Sequence, residues 1–362
     1  MPATKVALLG AGFISDIHLE CYHRFIPEAA VVAVYTRQAE KARAFAEKHK
    51  IGQWYDDMDR IINESGCEVV DICLPNYLHA PAVMKAAAAG KHIIIEKPLA
   101  VTLEEADSMI AVCKKAGVKL MYAEELCFAP KYERVRQLVK EGAVGDIYMM
   151  KQSEKHSGPH SDWFYDHTLA GGGVLMDMGC HALAWFRWMM NNSAVKSVYA
   201  TMQTVLHKGR TKGEDNSVVI LEFENGVTAV AENSWAKQGG MDDKCEVYGT
   251  GGVIYADLFM GNAALAYSKN GFGYALEKAD TTVGWSFPIF EEAFNQGYPH
   301  ELKHFIDCVR NNKEPLVTGE DGRAVLEIIY AAYAAAGQGK KIMLPFAPVV
   351  ERPIDLWLNP DH

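Results

Sequence analysis

Over about the first 120 residues, short and wholly apolar runs alternate with runs whose apolar positions follow a helical spacing. "KVALLG", "AAVVAVYT", "VVDICLP", "HIIIEKP" and "VKLMYAE" are rich in β-branched residues and read as strands. Between them, "ISDIHLECYHRF", "RQAEKARAFAEKHK", "HAPAVMKAAAAG" and "LEEADSMIAVCKKAG" read as helices. These strands lack a polar face, as expected where helices cover both sides of a parallel sheet built from βαβ units.

The pattern changes after about residue 125. Helical segments at 130–141 and 172–190 bracket a polar loop rich in histidine. From residue 195 the runs lengthen and alternate: "SVYATMQTVL", "NSVVILEFENGVTAVAENSWA" and "DKCEVYGTGGVIYADLF". "ENG" inside the second run is a hairpin signal, and the whole reads as a mostly antiparallel sheet. Two helical patterns, "ELKHFIDCVRNN" and "GRAVLEIIYAAYAAAGQGK", close the chain. The expected fold class is α/β, with a parallel-sheet domain over 1–125 and a second α/β domain with a mostly antiparallel sheet over 126–362.

Composition narrows the function classes. The 362 residues carry 36 Lys and Arg against 46 Asp and Glu, a net charge of −10. That average surface repels phosphate backbones and anionic lipids, so neither nucleic acid nor membrane is an expected partner. "MPATKVALLG" enters a strand with no apolar signal region, and the eight cysteines form no CxxC, which points to free thiols in the cytoplasm.

"LLGAGFIS" sets Gly10 and Gly12 directly after the first strand, with Phe13 and Ile14 opening the helix. Glycines there allow a tight turn and close approach of a pyrophosphate to a helix N-terminus. Ser15 takes the place of the third glycine of that pattern. The acidic residue expected at the end of the second strand is replaced by Thr36, with Arg37 after it. Arg37 could pair with a 2′-phosphate, stack on adenine or stay solvated, so NAD(H) and NADP(H) both remain open.

In an open parallel sheet, ligands sit outside the carboxyl ends of the strands. "LPNYLH" puts Pro75, Asn76 and His79 at one such end, and "EKP" puts Glu96 and Lys97 at the next. A positioned ammonium there can hydrogen-bond a substrate hydroxyl and stabilise its alkoxide. In "GGGVLMDMGCHALAWFRWMM", a helix starting near Gly172 would carry Asp177 and His181 four apart on one face. An imidazole is a natural general base for an alcohol proton, though a satisfied core pair gives the same pattern. Gly179 inside that helix suggests a close approach to its backbone.

These pieces resemble a known family, the oxidoreductases grouped around glucose–fructose oxidoreductase, inositol dehydrogenase and rhizopine catabolism protein. The matching segments are "GAGFIS", "LPNYLHAPAVMKAAAAGKHIIIEKPLA", "GGGVLMDMGCHALAW", "GDIY" and the ending "LVTGEDGRAVLEIIYAAYAAAGQGKKIMLP". The resemblance implies a Rossmann domain followed by an α/β domain whose open sheet mediates a dimer or tetramer. It also implies a bound nicotinamide cofactor, Lys97, Asp177 and His181 as the catalytic set, a cis Lys97–Pro98 bond, and nicotinamide near Asn76 to His79 and Glu96. One departure is Cys127 in "EELCFAP", where many members carry arginine; it is expected to be a packed thiol.

"KHSGPHSDWFYDH" offers His156, His160, Trp163 and Tyr165, with Trp235 and His300 as further walls. Aromatic faces and hydrogen-bonding tips suit a sugar ring, although each histidine could equally be a solvated loop residue. No zinc spacing is present and no metal is expected. The expected activity is hydride transfer between nicotinamide and a secondary hydroxyl of a sugar, polyol or glycoside, with a lean toward C3 of a hexose or hexosyl glycoside. An NAD-dependent glycoside hydrolase or lyase using transient oxidation, and a non-catalytic cofactor-binding regulator, are the rival readings.

Overall fold

The structure is a computed structural model that describes residues 2–259, 266–271, 281–286 and 292–360. The chain forms two compact units, Met1–Glu125 with Gly297–Leu326, and Leu126–Gln296 with Glu327–His362.

The first unit alternates β1 (Thr4–Leu9), α1 (Phe13–Phe25), β2 (Ala29–Tyr35), α2 (Ala39–His49), β3 (Gln53–Tyr55), α3 (Met58–Glu64), β4 (Val69–Ile72), α4 (His79–Ala88), β5 (His92–Ile95), α5 (Leu103–Ala116) and β6 (Leu120–Tyr122). Its six parallel strands run in the order β3-β2-β1-β4-β5-β6, the doubly wound arrangement. Val6–Leu9, Val69–Ile72 and Ile93–Ile95 are fully buried, which explains their unbroken apolar or near-apolar sequence. Helix α5 is bounded by local chemistry. Thr102 and Glu105 form a capping box at its start, and Gly117 ends it at φ 69°. β3 and α3 lie in the polar stretch after α2, where the apolar pattern is too short to mark them. Asp57 caps α3 by accepting the Arg60 N–H.

The second unit holds α6 (Pro130–Lys140), β7 (Ile147–Lys155), α7 (His167–Ala170), a π-helical turn at Leu175–Gly179 that runs into α8 (Cys180–Met189), β8 (Val195–Gln203), β9 (Asn216–Phe223), β10 (Thr228–Ser234), β11 (Asp242–Gly249), β12 (Gly252–Asp257), the small ribbon β13 (Ala266–Ser268) and β14 (Gly284–Ser286), and α9 (Glu292–Gln296). Then α10 (Tyr298–Arg310) and the start of α11 (Gly319–Gln338) return to the first unit. α10 packs against α1, Arg310 Nη1 donates to the Pro2 carbonyl at 2.7 Å, and the Tyr122 N–H donates to the Val317 carbonyl at 3.3 Å. The expectation of one unbroken second domain over 126–362 is corrected by this return, which an amphipathic helix pattern alone does not reveal.

With β15 (Ile342–Met343) and α12 (Asp355–Leu358) the second unit is complete. Its seven-stranded sheet has the order β12-β11-β7-β10-β9-β8-β15 and is antiparallel except for the β7–β10 pair. The turn Glu224–Gly226 joins β9 to β10 as a hairpin, with Gly226 at φ 86°. β7 is a central strand that the apolar pattern missed. Gln152, Ser153 and Glu154 are buried polar residues, and Gln152 Nε2 donates to Asp243 Oδ1 at 3.2 Å. Among the described residues, no helix is long and apolar enough to cross a membrane.

Candidate active site

The carboxyl ends of β1, β2, β4 and β5 share one edge of the parallel sheet, and the residues expected at the cofactor lie on the loops there. Gly10 has φ 129°, and a β-carbon on it would lie 2.3 Å from the Cys73 carbonyl oxygen, so glycine is required by the packing of the turn on β4. Gly12 is different. It is exposed, and a β-carbon there would meet nothing within 4 Å. Phe13 is exposed and Ile14 half-buried at the α1 N-terminus. Ser15 is fully buried, and its Oγ accepts the Gly12 N–H at 3.3 Å. Thr36 follows β2, and Arg37 Nη2 donates to the Tyr77 hydroxyl at 3.1 Å, tying that end to the loop after β4.

On that loop Pro75 is half-buried and Asn76 buried. His79 was expected at the cofactor, but the structure buries it completely and places its ring nitrogens 2.9 Å from the Pro98 carbonyl and 2.8 Å from the Leu74 carbonyl. Its ring stitches the β4 loop to the β5 loop. Glu96 is buried, Lys97 half-buried, and the Lys97 N–H donates to Glu96 Oε2 at 3.1 Å. The Lys97–Pro98 bond is cis. Behind it lies a polar group that the sequence reading did not mark. The His18 ring is within 3.0 Å of Asp71 Oδ2 through Nδ1 and within 3.1 Å of Glu96 Oε1 through Nε2. Burial opposes a charged ring there, but the facing Cys73 and Asp71 outweigh it and hold the His18 pKa well above the ordinary histidine value.

In the second unit, Asp177 sits on the π-helical turn and His181 in the first turn of α8, both buried. Such turns recur at functional sites because they re-aim side chains within a helix. A β-carbon on Gly179 would lie 2.4 Å from Leu175 Cδ1, and one on Gly173 2.0 Å from the Glu214 carbonyl oxygen, so both glycines answer to close packing. Trp235, offered as a further wall of the substrate site, is fully buried, and its Nε1 donates to Asp177 Oδ2 at 3.0 Å. Tyr165 packs edge-on to Trp235 at 5.9 Å between ring centroids, and Trp163 stacks on Phe164 at 3.8 Å. His156 is buried and His160 exposed, with ring centroids 5.5 Å apart. His300 belongs to the first unit, on α10, and is half-buried. Cys127 is packed away as expected, with the charge of Arg136 as a basic neighbour.

The Glu214–Asp215 pair reaches Asp177 by two routes, neither marked beforehand. Glu214 Oε1 accepts the Leu175 N–H at 2.9 Å and the Tyr333 hydroxyl at 2.8 Å, while its carbonyl accepts the Val174 N–H at 2.9 Å. The Asp215 carbonyl accepts the Trp235 N–H at 2.8 Å. Burial raises the Glu214 carboxyl to about 7 against the pull of those hydrogen bonds. Two adjacent acidic residues opening a strand, in "GEDNSVV", were the available signal.

Two domain models of one family match the chain. "Oxidoreductase family, NAD-binding Rossmann fold" covers residues 4–124, and "GFO/IDH/MocA C-terminal domain" covers 132–255, together about two thirds of the chain. The chain belongs to the GFO/IDH/MocA oxidoreductases. Among similar proteins of this family, myo-inositol 2-dehydrogenase of Thermotoga maritima is 27% identical over 342 residues, 94% of this chain and 98% of that protein. D-glucoside 3-dehydrogenase of Escherichia coli is 27% identical over 354 residues, 94% and 97% of the two chains. The crystal structure of GenD2 from gentamicin A biosynthesis, in complex with NAD, superposes with a TM-score of 0.90 at 29% identity, covering 96% of this chain and 97% of that one.

As a GFO/IDH/MocA protein, the chain has a Rossmann domain that binds NAD. Its residues fit that cofactor. The open space over Gly12 at the N-terminus of a 13-residue helix is a cradle that any larger side chain would fill, and the helix end favours a pyrophosphate's charge.

Proposed function

We propose that this family member oxidises or reduces a ring hydroxyl of a hexose or hexosyl glycoside, with C3 as the reacting carbon, and uses NAD. The observation that carries the reading is the Trp235–Asp177 hydrogen bond on the π-helical turn that leads into His181, with Trp163 and Tyr165 on the loop ahead of it. The similarity to a D-glucoside 3-dehydrogenase supports a glycoside, and the equal similarity to a myo-inositol 2-dehydrogenase makes inositols the comparison the test must include.

The roles follow from chemistry. Bound nicotinamide supplies the hydride acceptor for oxidation and the donor for the reverse. His181 takes the hydroxyl proton as general base. Lys97 donates to the substrate oxygen and stabilises alkoxide character. Asp177 is acceptor-only when ionised and holds either the imidazole or a second hydroxyl, with Trp235 keeping it in one orientation. Trp163, Tyr165 and the exposed His160 present faces and tips to the sugar.

The test is a panel of glucosides and inositols scored for NADH formation, with Lys97→Ala and His181→Ala as variants. We expect a glucoside to outperform every inositol and each variant to lose at least about a hundredfold in kcat/KM. Turnover of both variants within about threefold of the parent enzyme would remove these roles.

We also propose a cytoplasmic homo-oligomer, a dimer or tetramer, built on one face of the second unit's sheet. Tyr199, Ile220, Val230, Lys151, Glu246 and Tyr255 pair across successive strands into one row, and Tyr199, Ile220 and Tyr255 in it are exposed. Light scattering of the parent and of Ile220→Glu checks this, and a parent that runs as a monomer would refute it.

A further inference from the structure

A histidine inside the first unit bridges two carboxylates, and one of those carboxylates holds the backbone of Lys97. His18 lies on α1 and is fully buried. Its Nδ1 is 3.0 Å from Asp71 Oδ2, and its Nε2 is 3.1 Å from Glu96 Oε1. Nδ1 makes a hydrogen bond to Asp71, while Nε2 faces Glu96 at ion-pair distance without hydrogen-bond alignment, and a ring set between two carboxylates is favoured as the imidazolium. The second oxygen of Glu96 accepts the Lys97 N–H at 3.1 Å. Asp71 is itself fixed from the other side by the Tyr22 hydroxyl at 3.0 Å. Further neighbours are the Cys73 sulfur, 3.5 Å from Nδ1, Cys21, the Tyr298 ring, 6.1 Å away between centroids, and Glu301 on α10. The Glu301 carboxyl is fully buried with no hydrogen-bond partner on either oxygen among the described residues, and burial, with Glu125 and Glu96 nearby, raises its pKa well above the ordinary carboxyl value.

We propose that His18 is a positioning residue. Through a carboxylate–imidazolium–carboxylate bridge it fixes Glu96, and Glu96 in turn fixes the backbone that presents Lys97. The chain of contacts runs from β4 through α1 to the end of β5, so three elements of the first unit must agree on where the lysine starts. The rigid ring spans the pair, with a nitrogen on each side within 3.1 Å of a carboxylate oxygen. Without the ring's charge, two carboxylates would face each other in a buried space. This reading rests on the role proposed for Lys97.

The test uses Asp71→Asn, which keeps the shape of the bridge and removes the charge that favours an imidazolium, and Tyr22→Phe, which removes a hydrogen bond to Asp71 and leaves the bridge intact. Nitrogen-15 resonances of the His18 ring count its protons directly. The expected result is two ring protons at about pH 8 in the parent and in Tyr22→Phe, and one in Asp71→Asn. With folding verified by thermal melts, Asp71→Asn should also lose about tenfold in kcat with KM and NAD+ affinity within about twofold, the mark of a misplaced group rather than a lost binding contact. A singly protonated ring in the parent, or a neutral ring in Asp71→Asn with unchanged kcat, overturns the proposal. If no substrate turns over, the function reading fails. The ring-proton count and the effect of Asp71→Asn on the Lys97 amide resonance then still decide the bridge.

Discussion

Replacing Glu214 by glutamine should flatten one limb of the protein's stability–pH curve. The carboxyl is fully buried, with a pKa pushed to about 7 from an ordinary 4.5. Between those values the folded protein keeps a proton that the unfolded chain has released. The folded state therefore binds more protons there, and stability falls as pH rises through about 4.5 to 7 and levels off above. A shift of that size corresponds to about 3 kcal/mol at most. Glutamine can still accept from the Leu175 N–H or the Tyr333 hydroxyl and cannot ionise, so the variant has no such limb. Urea unfolding of both proteins at steps from about pH 5 to 9 gives the answer as a difference, in which every other titrating group cancels. The parent should lose about 2 to 3 kcal/mol relative to Glu214→Gln across the window. Parallel curves would refute the placement of a buried, singly clamped carboxyl beneath the Asp177 turn.

Two further outcomes follow from the same geometry. Trp235→Phe removes a hydrogen bond to the Asp177 carboxylate and should cut kcat about tenfold, in line with about 1.5–3 kcal/mol for a hydrogen bond to a charged group, while NAD+ affinity measured by calorimetry stays put. Gly10→Ala and Gly12→Ala should separate. The first adds a β-carbon 2.3 Å from a backbone oxygen at positive φ and should cost more than about 2 kcal/mol in thermal or urea melts. The second meets only open space and should leave stability within about 0.5 kcal/mol while weakening NAD+ binding.

The first unit was legible because its chemistry is repetitive. Helices cover both faces of β1, β4 and β5, so the apolar runs announce themselves, and Gly10, Glu96 and Lys97 fall at strand ends by simple counting. β7 was hidden because its buried face is polar, with the Gln152 Nε2 donating to Asp243 on the neighbouring strand. Trp235 was misread for the opposite reason. An aromatic in a strand tail suits a sugar wall as well as a buried donor, and only the 3.0 Å contact to Asp177 separates the two. His18 and Asp71 each broke an apolar pattern, one on α1 and one in "VVDI", and two such breaks that must be buried together were a signal of a pair. Their sequence separation of 53 residues kept it from being read.

The return of Gly297–Leu326 to the first unit sets an order on synthesis. The nucleotide-binding half begins the chain, yet its helix α1 is covered by α10, which leaves the ribosome only after the whole seven-stranded sheet except β15. A nascent chain halted at Glu125 would carry α1 without its α10 cover, a state that invites chaperone capture. The half that comes first is thus completed only after most of the other has been made.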